Sequence, residues 1–175
     1  MGEVIVGIAD CRVGNVRGQV LATYALGSCI GLAVYDPAAE VGGLLHFMLP
    51  DSKIECARGR GNPYMYADTG IPLLLEAMYG KGASKRRLVA QAVGAAQMMD
   101  PESVFEIGKR NYQALRRILW KAGILLQSEA IGGAQSRTVR LEIGTGRVWL
   151  QEGGVQRELA PGSTRNGGNS WLTRS

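Results

Sequence analysis

The chain holds one histidine, His46. Any reaction in which an imidazole takes a proton from a thiol or hydroxyl must use it. The nucleophile best placed to serve it is Cys29, in Leu26-Gly27-Ser28-Cys29-Ile30. Gly27 and Ser28 make a tight turn before an apolar run. Such a turn holds a sulfur on a rigid base, and its backbone N–H groups, those of Gly27 and Ser28 among them, can point at a developing oxyanion. A free thiol titrates at about 8.5, so little thiolate is present at neutral pH, and an adjacent imidazole activates it by accepting its proton. Taken singly, each residue has a plainer reading: a small buried hydrophobe for Cys29, and a packed, hydrogen-bonded strand residue for His46.

The elements around them argue for more. Ile30–Tyr35 (IGLAVY) and Val41–Leu49 (VGGLLHFML) read as consecutive strands, joined by the turn signal Asp36-Pro37 and ended by Pro50. Cys29 precedes the first strand and His46 lies at the end of the second. In an antiparallel hairpin those two ends lie side by side, so turn chemistry alone brings the histidine toward this cysteine. His46 shares a face with Leu44 and Met48, and Leu45 and Phe47 take the other. Cys56, in a polar loop beside Arg58, and Cys11, after the first strand, are weaker candidates. Arg137 with Gly132-Gly133 has a ligand-loop reading, but a Gly-Gly turn before a strand accounts for it more simply.

Further strands are expected at Val4–Ala9, Gln19–Leu26, Arg87–Val93, Ile124–Ile131, Thr138–Ile143 and Arg147–Leu150, with a loop at Gly14–Gly18. Residues 51–67 read as a polar loop. One helix is expected to begin at Asp68 or Thr69, either of which can cap it, with Pro72 in its first turn and its end at Gly80. A second runs from Lys109 to Ala122. Leu115, Ile118, Leu119 and Ala122 give it a core stripe, and Gly123 stops it. The class is α+β, as a layered α/β sandwich: mixed, largely antiparallel β layers, two main helices, and the Cys–His pair at a sheet edge. Residues 1–150 are expected to form a single domain, and 151–175 a polar, flexible tail.

With 175 residues, 46% of them hydrophobic and 20% charged, the chain can bury a core without metal or disulfide. The three cysteines match no zinc spacing, and no metal or cofactor is expected. The net charge of +5 comes from clusters such as Lys85-Arg86-Arg87, Lys109-Arg110 and Arg116-Arg117. These read as a solvated basic face or a surface for an acidic protein. No groups of aromatic residues interleave with them, so nucleic acid is not expected as a partner. No apolar run reaches membrane-spanning length and no signal-peptide pattern follows Met1, so a cytoplasmic protein without membrane insertion is expected.

Thr23-Tyr24-Ala25-Leu26-Gly27-Ser28-Cys29-Ile30, Tyr35-Asp36-Pro37 and Gly42-Gly43-Leu44-Leu45-His46-Phe47-Met48-Leu49-Pro50 together resemble the CheD family of bacterial and archaeal chemotaxis proteins. The resemblance continues through Tyr66-Ala67-Asp68, Ile107-Gly108-Lys109-Arg110-Asn111, Lys121-Ala122-Gly123-Ile124, Ile131-Gly132-Gly133, Arg137-Thr138-Val139-Arg140-Leu141 and Thr145-Gly146-Arg147-Val148. It implies a protein-glutamine deamidase of chemotactic adaptation, converting glutamines of methyl-accepting chemoreceptors to glutamates through a cysteine thioester. In that reading Cys29 is the nucleophile, His46 the acid–base and Thr23 the residue that orients the imidazole. The implied partners are the receptor's cytoplasmic helical bundle and a CheC-type phosphatase. Two alternatives accompany the resemblance: a non-catalytic regulator of that phosphatase, and a receptor methylesterase using the same site. Tyr24-Ala25 stands where the family more often has Leu-Gly, and Ala134-Gln135-Ser136 where Asn and Gly are frequent.

Overall fold

A computed structural model of the chain describes residues 2–55, 61–97, 106–162 and 164–167. Eleven strands and two α-helices follow in the order β1 (Glu3–Ile5), β2 (Asp10–Gly14), β3 (Val20–Leu26), β4 (Ile30–Asp36), β5 (Val41–Phe47), α1 (Ala67–Gly80), β6 (Val89–Gly94), α2 (Ile107–Ala122), β7 (Leu125–Gly132), β8 (Arg137–Glu142), β9 (Val148–Glu152), β10 (Val155–Glu158) and β11 (Thr164–Gly167). They build two sheets, ordered β1-β3-β8-β9-β10 and β11-β7-β6-β4-β5-β2. Among the described residues six strand pairs are antiparallel and three, β1/β3, β6/β7 and β11/β7, are parallel. The expected mixed, largely antiparallel α+β sandwich is what forms.

Three layers result, because β4 and β5 are buried on both faces. Ile30, Leu32, Val34, Leu45 and Phe47 pack with Ile71, Leu74 and Met78 of α1 and Leu115 and Leu119 of α2. The alternate residues Ala33 and Leu44 face the other sheet and pack with Leu21, Leu26, Val139, Leu141 and Leu150. A continuous apolar run such as IGLAVYD is what a central strand between two apolar layers requires.

The Asp36-Pro37 turn has a charged anchor. Asp36 is fully buried, accepts from the N–H groups of Ala38, Ala39 and Ser84, and takes a two-pronged bond from Arg87 at 2.8–3.1 Å. Burial alone would raise its pKa, but Arg87 and the three N–H groups outweigh it and hold the carboxyl down to about 2. Arg87 is therefore spent internally. Lys109 pairs with Glu106 and Arg116 donates to the Tyr112 hydroxyl, so the basic clusters are in part structural.

Several expectations change. The strand expected at Val4–Ala9 stops at Ile5, and β2 was not read at all. Its sequence, DCRVG, is short and carries Asp and Gly, and it forms because it pairs with β5 as an edge. Helix α1 begins at Ala67 after Tyr66, not at an Asp68 or Thr69 cap. The Asp68 carboxylate instead receives the Ser52 N–H and hydroxyl at 2.9 and 2.8 Å, closing one short 3₁₀ turn in the expected loop. Pro72 consequently lies in the second helical turn. The region expected as a loose tail carries β10 and β11, and Leu159 is buried between the sheets, where Gln91 donates to its carbonyl at 3.0 Å. Polar composition misled there because β10 needs only the β9 edge to pair with. Among the described residues, no helix is long and apolar enough to cross a membrane.

Candidate active site

The β4/β5 register pairs Gly31 with His46 and Ile30 with Phe47. Side chains alternate, so Cys29, two residues before Gly31, falls on the His46 face of the sheet, diagonal to it. That face looks toward the other sheet, where Cys29 packs against the inter-sheet core. Thr23 comes from β3 across the layer. Gly31 leaves room for it: a Cβ there would lie 2.9 Å from Leu26 Cδ1 and 3.3 Å from Thr23 Cγ2.

Thr23 is fully buried, and its Oγ1 lies 2.8 Å from both the Val6 carbonyl oxygen and His46 Nδ1. A carbonyl only accepts, so the single hydroxyl proton goes to Val6. The threonine oxygen must then accept from His46, which fixes the proton on Nδ1 and leaves Nε2 as a bare lone pair. Nε2 is buried and has no hydrogen-bond partner among the described residues, so its lone pair is free to accept a proton. Cys29 and His46 thus share one face of the sheet, at diagonal positions of the β4/β5 register.

Burial pulls the His46 imidazole down to about 4. Burial also pushes the Cys29 thiol up, with its own backbone N–H opposing that in part. Both effects favour the neutral forms, so at pH 7 the site rests as thiol and imidazole, not as an ion pair.

The turn that carries Cys29 is tied down on several sides. Ala95 N–H donates to Cys29 O and Ala96 N–H to Gly27 O, both at 2.8 Å. Asn111 of α2 donates from Nδ2 to Ser28 O at 3.0 Å and to Met48 O at 2.7 Å. Gly94 must be glycine: its φ is +125° and a Cβ would sit 2.2 Å from Cys29 O. Sequence reasoning missed Asn111 as a site residue. The signals were an asparagine at a helix position that ought to be apolar and its place in the Ile107–Asn111 segment of the resemblance.

Arg137 is a strut, not a ligand residue. It is 5% exposed, donates to the carbonyls of Gly94, Ala130 and Gly132, and pairs with Glu152. Cys11 is half-buried on β2, and desolvation pushes its thiol up to about 12, as befits a packing residue. Cys56 lies outside the described residues. No group of histidine, cysteine and carboxylate side chains among the described residues could hold a metal ion.

The family model for CheD, chemotactic sensory transduction, matches residues 48–152, more than half of the chain. The chain belongs to the CheD family. Similar members are called probable chemoreceptor glutamine deamidases. One from Solibacter usitatus is 68% identical over 97% of this chain and all of its own length. One from Syntrophus aciditrophicus is 49% identical over 91% of this chain and all of its own, and one from Pyrococcus horikoshii 46% identical over 87% and 93%. Within this CheD chain the model's segment contains Gly94, Asn111 and Arg137, which support the turn, whereas Thr23, Cys29 and His46 precede it.

Proposed function

We propose that this chain is a protein-glutamine deamidase acting on chemoreceptors, with Cys29 as nucleophile, His46 as acid–base and Thr23 orienting the imidazole. The observation that carries the reading is the Thr23–His46 bond, which leaves an Nε2 lone pair with no partner among the described residues, on the face that also bears Cys29. The names of its relatives supply the substrate class.

In the reaction, Cys29 Sγ attacks the carbon of a glutamine side-chain amide while His46 Nε2 takes the thiol proton. The imidazolium so formed keeps its Nδ1–H on Thr23. As the tetrahedral intermediate collapses, the C–N bond breaks, and the Nε2 proton goes to the nitrogen, which leaves as ammonia. A water molecule then gives its proton to Nε2 and attacks the thioester. Expulsion of the thiolate, reprotonated from Nε2, leaves glutamate and the resting thiol. Positioned acid–base help of this type is worth about 10²–10⁴-fold. A low imidazole pKa suits the departure step, because the imidazolium gives up its proton readily.

The new glutamates would serve chemotactic adaptation, in the cytoplasm, with the receptor's helical bundle and a CheC-type phosphatase as partners. The test is ammonia release and the mass of receptor cytoplasmic fragments treated with wild type, Cys29→Ala and His46→Ala. Wild type alone should convert amide to acid. A wild type that binds the phosphatase but modifies no receptor fragment would replace the deamidase reading with that of a regulator.

A further inference from the structure

Three consecutive carbonyls around the nucleophile are tied to the body of the protein. Gly27 O accepts from Ala96 N–H, Ser28 O from Asn111 Nδ2 and Cys29 O from Ala95 N–H, at 2.8, 3.0 and 2.8 Å. A trans peptide is planar, with its N–H opposite its C=O. None of the described peptide bonds is cis. Drawing the Gly27 and Ser28 carbonyls inward therefore turns the Ser28 and Cys29 N–H groups the other way, and the Cys29 N–H favours the thiolate of its own side chain.

Asn111 is fully buried, and its Oδ1 has no partner among the described residues. Leaving a buried acceptor unmade costs about 1–3 kcal/mol, so an asparagine is a poor choice here for stability alone. What it supplies is two donors from one nitrogen, which reach the turn before Cys29 and the strand end after His46 together. The helix that carries it is seated against Ala95, which lies just past the end of β6 and whose N–H holds Cys29 O. A Cβ on Gly108 would lie 2.7 Å from the Ala95 carbonyl oxygen.

We infer that Asn111 is a positioning residue for the oxyanion site: by holding Ser28 O it aims the Cys29 N–H at the place where the oxyanion forms, and by holding Met48 O it locks the His46 strand to the same turn. The inference rests on the Cys29–His46 reading and adds a residue that touches neither substrate nor reacting atoms. Asn111→Ala removes both donors. Asn111→Asp keeps the shape, but a carboxyl buried against two carbonyl oxygens stays protonated and has a single O–H, so at most one of the two carbonyls is held.

The experiment measures kcat and KM on a receptor cytoplasmic fragment, the melting curve, and the pH profile of iodoacetamide alkylation at Cys29, followed by peptide mass mapping. Folded Asn111 variants should lose about 10²–10³-fold in kcat, the cost of a misplaced oxyanion donor, with KM little changed. Alkylation at pH 7.5 should slow about tenfold, because the N–H that favours thiolate is no longer aimed at it. Alkylation needs no substrate. If wild type deamidates nothing while the variants still shift the alkylation profile, the positioning role stands and the deamidase reading falls. A folded variant with wild-type kcat and alkylation profile would overturn the inference. So would loss of fold in both variants, which would make Asn111 a structural residue.

Discussion

Thr23→Val is the substitution that bears most directly on how the base is prepared. Valine keeps the shape and removes the hydroxyl. Two groups then lose their partner inside the protein: the Val6 carbonyl and the His46 Nδ1–H, on residues that are each 1% exposed. At about 1–3 kcal/mol for each unsatisfied group, stability should fall by about 2–6 kcal/mol, within what a typical domain survives. The imidazole also loses the contact that selects its tautomer, and kcat should fall about 10²-fold or more. Because His46 is the only histidine, a histidine-labelled sample gives one unambiguous ¹⁵N pattern. Wild type at pH 7 should show a protonated Nδ1 and a bare Nε2, and Thr23→Val a mixture of tautomers. Thr23→Ser, which keeps both bonds, should keep the wild-type pattern. A wild type protonated on Nε2 at pH 7, or a Thr23→Val protein with unchanged tautomer and kcat, would refute the reasoning.

Stability should fall in two steps on acidification. The unfolded His46 takes a proton near 6.5 and the folded one only near 4, so the unfolded state binds more protons between those values and about 3 kcal/mol is lost from pH 6.5 to 4. Asp36 has its folded value near 2 against 3.8, so its stabilisation, about 2 kcal/mol, is complete above pH 4 and is lost toward pH 2. Urea titrations across pH, with Asp36→Asn lacking the second step, check both. Gly94→Ala should cost more than about 3 kcal/mol and abolish activity together, because its Cβ would strike the Cys29 carbonyl; a folded, active variant in a melting and activity assay would contradict that. Ala25 has φ +55° at the irregularity where β3 loses register with β8, so Ala25→Gly should raise stability by up to about 1 kcal/mol, read as a higher melting temperature.

The hairpin that brings Cys29 and His46 to one end was legible because its signals are local: two apolar runs, one Asp-Pro turn and one Pro stop. Helix α2 was legible for the same reason, through its core stripe and the left-handed Gly123 that ends it. What stayed hidden depends on partners distant in sequence. β2 is a strand only because β5 lies beside it, and Asp68 bonds Ser52 rather than capping its own helix. Asn111 acquires its meaning only when Ser28 and Met48, 83 and 63 residues away, converge on it. Ala25 shows the converse. Its replacement of a frequent glycine was visible in the sequence, and the positive φ explains why glycine suits that place.

The central claim is that Cys29 carries the substrate acyl group. Wild-type protein mixed with a receptor cytoplasmic fragment, quenched in acid within one turnover and mapped by mass spectrometry, should yield a receptor peptide joined to the Cys29 peptide through a hydroxylamine-labile thioester. Deamidation that proceeds with no such adduct, and at the same rate in Cys29→Ala, would contradict the claim.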